Sequence, residues 1–446
     1  MQISRTIRVT ALAFAVGALM SAGSAMAGQK LYGGGATFPA VPYTGSTYLD
    51  VLPNARLSTA NGNNAGAGFT TATIGAGSLF DSNAVHYLNT VSYCQTGSGF
   101  GKNALNGAAT ALASGQCKDF STSPAGLSAP TDTPDFIGAD APYSTTDYNA
   151  FLAGPQFATH TGVVQIPTIA GAIALPHNTD VDNVALTPVQ VCRIYSGLTT
   201  SWGKIGGVTG TGNKSPIKII YRTDSSGTTF AFTRYLAATC NGTTAVPAGF
   251  VFTPSSTFNS ALPGGVTAVY GTRAIGASGN NGVVAATLDP ANASALGYAD
   301  IGEVLNQGAG YAIVAGFDPA KFGLDASNVP TPISISLTSL LTGKVLDGAT
   351  ANDVPGANDQ SIKNCVRLID PAFKLTRAYP IVAITYFAAN YSGNGTTQHQ
   401  AAIRNLLNLS YNHSFRPVLP TGYAYIDGVA TFRTSITSTV NACIKP

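Results

Sequence analysis

The chain is 446 residues long, 45% of them apolar and only 10% charged, with a formal net charge of +3. So little charge excludes a global field of the kind that holds nucleic acid, and any anion must be gripped by local geometry. The apolar content excludes a disordered chain despite 50 Gly and 25 Pro, and the length exceeds what one core serves, which predicts two domains.

Residues 1–27 come first. Arg5 and Arg8 form a basic start, an uncharged apolar stretch runs from Val9 to Met20, and small residues close it as Ala25-Met26-Ala27. This is the pattern of a cleaved Sec-type signal peptide. The expectation is a periplasmic or secreted protein starting near Gly28, without a lipid anchor because no Cys stands at the cleavage point. The six cysteines fit an oxidising compartment: Cys94, Cys117, Cys192, Cys240, Cys365 and Cys443. Six cysteines permit fifteen pairings, and nearness along the chain favours Cys94–Cys117, Cys192–Cys240 and Cys365–Cys443. The rival reading is a metal site, but no C-x-x-C occurs and no His stands near a Cys in ligand spacing. Neither a metal nor a cofactor is expected.

Lys30-Leu31-Tyr32 predicts a strand running into a glycine turn, Gly33-Gly34-Gly35-Ala36-Thr37-Phe38-Pro39, and then a helix start. From about Asn54 to Ser82 the chain is rich in Gly, Ala, Thr and Asn and reads as irregular loop with one strand at most. Phe136-Ile137-Gly138-Ala139-Asp140-Ala141-Pro142 predicts a brief strand ending in a polar loop. Val163 to Pro176 is a long β-type run able to cross between domains. Thr187-Pro188 pairs an N-cap with a first-turn proline, opening a helix that ends at Gly197. Pro216 to Arg222 reads as a strand, Thr228 to Ala238 as a helix, Gly276 to Thr287 as a glycine-rich helix start and Leu296 to Ile301 as a strand. Repeated strand–loop–helix units suggest parallel layers and the α/β class. Beyond about residue 304 the pattern is least legible.

The sharpest chemical signal is Tyr221-Arg222-Thr223-Asp224-Ser225-Ser226-Gly227-Thr228-Thr229, between a predicted strand and a predicted helix. A helix N-terminus presents unpaired N–H groups and the positive end of the macrodipole. Ser226 and Thr228 add hydroxyls, Gly227 permits close backbone approach, and Arg222 supplies a planar fork for two oxygens of a tetrahedral anion. Asp224 is placed to orient that guanidinium. An ordinary capped helix with a surface Arg–Asp pair would read the same way in isolation. Gly97-Ser98-Gly99-Phe100-Gly101 is not a dinucleotide fingerprint, because Lys102 stands where the third glycine belongs, and no Walker A loop occurs anywhere. Asp140 is the oddity: an ionised carboxylate only accepts, so beside an anion it rewards an oxyanion that carries a proton and penalises one that does not. A loop or N-cap Asp is the commoner role.

Taken together these segments resemble the PstS-type phosphate-binding proteins of ABC phosphate importers, including the DING group. The resemblance rests on G-G-G-A-T-F-P at 33–39, G-S-G at 97–99, G-A-D-A-P at 138–142 and R-x-D-S-S-G-T-T at 222–229, in that order. It implies phosphate contacts at Thr37, Phe38 (by its backbone amide), Ser98, Asp140, Arg222, Ser226, Gly227 and Thr228, with Asp224 orienting the arginine. It implies an α/β, two-lobed periplasmic-binding-protein fold of type II, with mixed sheets flanked by helices and the ligand in the interlobe cleft. Residues 28–165 with 304–446 would form the first lobe and 166–303 the second. The implied partners are inorganic phosphate and an inner-membrane ABC permease, for a monomer that binds no nucleic acid. The Lys-Leu-Tyr start departs from the D-I-N of true DING proteins.

Two other functions compete with capture for transport. One is a secreted phosphatase acting on phosphomonoesters, as some members of the group look like phosphatases. Its five histidines (His86, His160, His177, His399 and His413) are scattered without ligand spacing, and no G-x-S-x-G elbow occurs. The other is a secreted phosphate binder with no permease.

Overall fold

The computed structural model describes residues 28–45, 55–56, 74–107, 133–356, 359–375 and 378–446. The signal-peptide segment and Cys117, and with Cys117 the Cys94–Cys117 pairing, lie outside them.

Three short strands, Lys30–Gly35, Thr90–Gln95 and Phe136–Ala139, lie parallel with Lys30–Gly35 in the middle. Parallel neighbours end at one edge of a sheet, which is where ligand loops collect. The rest of this nine-stranded sheet is mixed. Val382–Asn390 runs antiparallel to Phe136–Ala139, and Val163–Ala174 antiparallel to Val382–Asn390. Tyr423–Gly428 and Ile333–Ile335 complete the far side. Every residue of Val163–Ala174 is buried. A strand covered on both faces needs apolar side chains at every position, which explains its uninterrupted run in the sequence.

An aromatic cluster underlies the loop after Lys30–Gly35. Tyr43 stacks on Phe387 at 4.9 Å between centroids and meets Tyr93 edge-on at 5.8 Å, while Phe80 meets Phe136 edge-on at 5.7 Å. The Tyr93 hydroxyl donates to the Ala36 carbonyl at 2.7 Å, so the cluster holds the backbone as well as filling space.

The second sheet has five strands. Lys218–Arg222 sits between Ala274–Ala277 and Ala295–Leu296, parallel to both. Pro176–His177, continuing from the long crossing strand, pairs with Ala295–Leu296 and with Gly310–Tyr311. Ile313–Val314 then pairs with Ala185–Leu186 before Ile333–Ile335 joins the large sheet. The helix Pro188–Tyr195 forms as its capping signal predicts: the Thr187 hydroxyl accepts from the Gln190 N–H and the Gln190 side chain reaches back to Thr187. Cys192–Cys240 joins this helix to Gly227–Cys240, and Cys365–Cys443 holds the final helix, Ala430–Cys443, to the preceding chain. Two of the three expected pairings are therefore present.

Some expectations need correction. Leu296 to Ile301 is not one strand. Ala295–Leu296 belongs to the small sheet, Ala299–Asp300 pairs with the crossing strand in the large one, and Ile301 opens a helix capped by Asp300. Burial by two sheets in succession keeps the run apolar throughout, so its composition hides the break. Gly276 is still in a strand, and the helix begins at Gly279. Ser78 lies not in irregular loop but at the cap of a helix, Leu79–Tyr87, with its hydroxyl accepting from Asp81. Parallel layering holds only in part, because the region beyond 304 contributes the antiparallel strand Val382–Asn390. Among the described residues no helix is long and apolar enough to cross a membrane.

Candidate functional site

The edges of the two sheets face one another across a seam. From the large sheet, Gly35 and Gly138 are register partners, and Thr37 and Asp140 each follow two residues later. Thr90–Gln95 delivers Gly97, which caps the helix Ser98–Leu105. From the small sheet, Lys218–Arg222 leads through Asp224 to the helix Gly227–Cys240, and Ala274–Ala277 leads to the helix Gly279–Leu288. Two glycines let the backbones touch. A methyl on Gly99 would lie 2.1 Å from Ser225 Oγ, and the Gly99 N–H donates to the Ser225 carbonyl at 3.2 Å. A methyl on Gly227 would lie 2.3 Å from Ser98 Oγ and 2.7 Å from Asp140 Oδ2. Ser98 and Asp140 of one edge thus meet Gly227 of the other.

Arg222 is 1% exposed and its guanidinium is held on two sides. Nε donates to Asp224 Oδ1 at 2.7 Å, Nη2 donates to Asp224 Oδ2, and Nη1 donates to Asn280 Oδ1 at 2.8 Å. Of the five N–H donors of a guanidinium these contacts commit three, leaving one on each terminal nitrogen. Burial pulls the Arg222 pKa down, but the adjacent Asp224 more than offsets this and leaves it above its usual value. Burial pushes Asp224 up, and Arg222 together with the Gly279 N–H holds it below the ordinary carboxylate range. Both partners stay charged.

The hydroxyls share one arrangement. Ser98 Oγ accepts from the Asp140 N–H at 3.0 Å, Ser226 Oγ from the Thr229 N–H at 3.0 Å, and Thr228 Oγ1 from Asn280 Nδ2 at 3.2 Å. A hydroxyl whose oxygen already accepts has its own proton to give. Ser98, Ser226 and Thr228 are therefore biased towards donation, and Thr37 Oγ1 is buried without a hydrogen-bond partner. Phe38 is fully buried, and its carbonyl accepts from the Tyr423 hydroxyl at 3.3 Å.

Asp140 is the exception among these donors. Its Oδ1 accepts from the Thr385 hydroxyl at 2.8 Å, while Oδ2 is buried without a partner. Burial pushes its carboxyl from 3.8 up to about 7, against the lowering effects of Thr385 and Arg222. A buried oxygen left unsatisfied costs about 1–3 kcal/mol, so a ligand that hydrogen-bonds to it recovers that cost. Donors converging on one region with a single open acceptor suit a tetrahedral oxyanion bearing one proton. Among the described residues no group of three or more His, Cys, Asp or Glu could hold a metal ion.

A match to the PBP superfamily domain spans residues 57–396. The chain belongs to the PBP superfamily. Solved structures with this two-lobed fold include a phosphate binding protein from Stenotrophomonas maltophilia, at a TM-score of 0.56 and 21% identity over 92% of this chain and 93% of that one. Among curated relatives, Alkaline phosphatase L of Pseudomonas aeruginosa is 36% identical over 180 residues, which is 40% of this chain and 41% of that protein. A Phosphate-binding protein from an unknown prokaryotic organism is 33% identical over 155 residues, 34% of this chain and 38% of that protein. Each of these two matches spans less than half of the relative's length. Another P. aeruginosa sequence named Alkaline phosphatase L aligns over 334 residues at 29% identity, covering 69% of this PBP-superfamily chain and 76% of its own length.

Of the residues singled out from the sequence, Arg222 lies against Asp224, and Ser98 and Asp140 meet Gly227 across the seam. Three further participants were missed. Thr385 holds Asp140, Asn280 holds Arg222 and Thr228, and the Tyr298 hydroxyl accepts from the Arg222 N–H at 3.2 Å. A signal for Asn280 did exist: Ser278-Gly279-Asn280 follows a strand and opens a helix, as Ser226-Gly227-Thr228 does.

Proposed function

We propose that the protein captures inorganic phosphate as its protonated dianion in this seam and delivers it to an inner-membrane ABC permease, in the periplasm or after secretion. Thr37, the Phe38 and Gly227 backbone amides, Ser98, Arg222, Ser226 and Thr228 donate to the anion, and Asp224 orients the arginine. The observation that carries the reading is the open Oδ2 of Asp140 among groups that only donate. The phosphate O–H donates to that oxygen. Sulfate has no proton to offer and meets a buried carboxylate instead. The helix N-termini at Ser98 and Gly227 add their dipoles to the arginine charge. Names carried by relatives, Phosphate-binding protein among them, support the same ligand. Opening and closing of the lobes along the seam would admit and release it.

Isothermal titration of protein freed of phosphate tests this. One-site binding of phosphate with at least a hundredfold weaker response to sulfate is the expected outcome. Equal affinities would remove the role assigned to Asp140, and no phosphate binding at all would end the proposal.

A hydrolytic reading has the name Alkaline phosphatase L, borne by relatives, behind it. It requires release of nitrophenol from an aryl phosphate at a rate that falls with Arg222→Ala. Against it, the seam grips an oxyanion from many sides, which favours retention over turnover.

A further inference from the structure

Asn280 lies in the first turn of the helix Gly279–Leu288 and is 1% exposed. Its amide oxygen accepts from Arg222 Nη1 at 2.8 Å, and its amide nitrogen donates to Thr228 Oγ1 at 3.2 Å. These contacts leave only one orientation of the amide. A guanidinium has no acceptor, so the oxygen must face Arg222, and the amide nitrogen is left to donate to Thr228. The consequence reaches the anion. With its oxygen occupied by Asn280, the Thr228 hydroxyl turns its proton away, towards the seam. With Nη1 tethered by Asn280 and the other edge of the fork by Asp224, the guanidinium plane cannot rotate about its long stem.

We infer that Asn280 is a positioning residue for the phosphate proposed above, setting the direction of the Thr228 hydroxyl and the plane of Arg222. This rests on the phosphate reading. It adds that two of the seven donor groups, Arg222 and Thr228, are directed by a residue outside the ligand-binding segments named from the sequence.

The test is a double-mutant cycle read by phosphate titration of the full-length mature protein. Asn280→Ala is expected to weaken phosphate binding by about 10- to 100-fold, the usual effect of removing a partner that orients a ligand-holding group. Thr228→Val is expected to weaken it in the parent background, but by less than half that factor once Asn280 is Ala, because the hydroxyl is then already free to turn. A purely structural role would leave the two losses multiplicative. Unfolding of each ligand-free variant in urea separates binding loss from instability, and Asn280→Ser serves the same cycle if the Ala variant does not fold. Multiplicative losses, or an unchanged affinity in Asn280→Ala, overturn the inference. Absence of phosphate binding by the parent protein would instead overturn the reading on which it rests.

Discussion

Replacing Asp140 by Asn should make the ligand-free protein more stable at pH 8 while ruining its discrimination between anions. In the folded chain, burial raises the Asp140 carboxyl from 3.8 to about 7. The folded state therefore holds this proton more tightly than the unfolded state. Below about pH 3 both states are protonated and Asp140 imposes no electrostatic penalty. As pH rises from 3.8 the unfolded chain ionises first and stability falls, until the folded carboxyl also ionises near pH 7 and the loss levels off. A displacement of that size corresponds to about 4 kcal/mol at its plateau. Asn is neutral at every pH, nearly the same shape, and keeps an oxygen for the Thr385 hydroxyl. Urea unfolding in phosphate-free buffer should show the variant ahead of the parent by up to about 4 kcal/mol at pH 8, by less at pH 5 and by almost nothing at about pH 3. In titrations the same variant should bind phosphate more weakly and sulfate more strongly, since a donor now stands where Oδ2 stood. A variant less stable than the parent at pH 8 without ligand would refute the argument that a buried, unsatisfied carboxylate is being carried for function.

Other substitutions probe other parts. Arg222→Ala removes two charge-assisted donors from the ligand, each worth about 1.5–3 kcal/mol, so calorimetry should show phosphate binding weaker by at least a hundredfold. Gly227→Ala drives a methyl against Ser98 Oγ and Asp140 Oδ2. Scattering at saturating phosphate should then report a larger radius than the parent, and an unchanged radius would mean that the seam tolerates the methyl. Cys192→Ala with Cys240→Ala opens a loop of 48 residues, for which chain entropy gives a loss of about 4 kcal/mol in urea unfolding. Phosphate affinity well below the resulting midpoint should not change, because neither sulfur lies at the seam.

What the sequence disclosed and what it hid divide along physical lines. Arg222 and Asp224 stand two residues apart, so their clamp could be read from spacing. Thr187-Pro188 announced a helix because a cap and a first-turn proline act locally. Thr385 was invisible: it is 245 positions from the carboxylate it holds, and a threonine inside an apolar strand looks like any other β-branched residue. Asn280 was passed over because a polar residue in a first helical turn is ordinary, and its importance comes from two partners, Arg222 and Thr228, more than fifty positions away. Leu296 to Ile301 misled because an apolar stretch does not say which sheet buries it. The large sheet's antiparallel half was illegible for a related reason, as its strands are set by partners from distant parts of the chain and not by turn chemistry.

The interlocked rings of Tyr43, Phe80, Tyr93, Phe136 and Phe387 act as a brace for one side of the seam. Through the Tyr93 hydroxyl they immobilise the peptide just ahead of Thr37, so that bank of the cleft stands ready before anything arrives. On the opposite bank Asp224 and Asn280 hold the Arg222 guanidinium in the same way, so neither wall has to be ordered by the ligand. Changes that loosen these rings should therefore weaken the proposed phosphate binding from a distance, since the rings brace the backbone and not the ion.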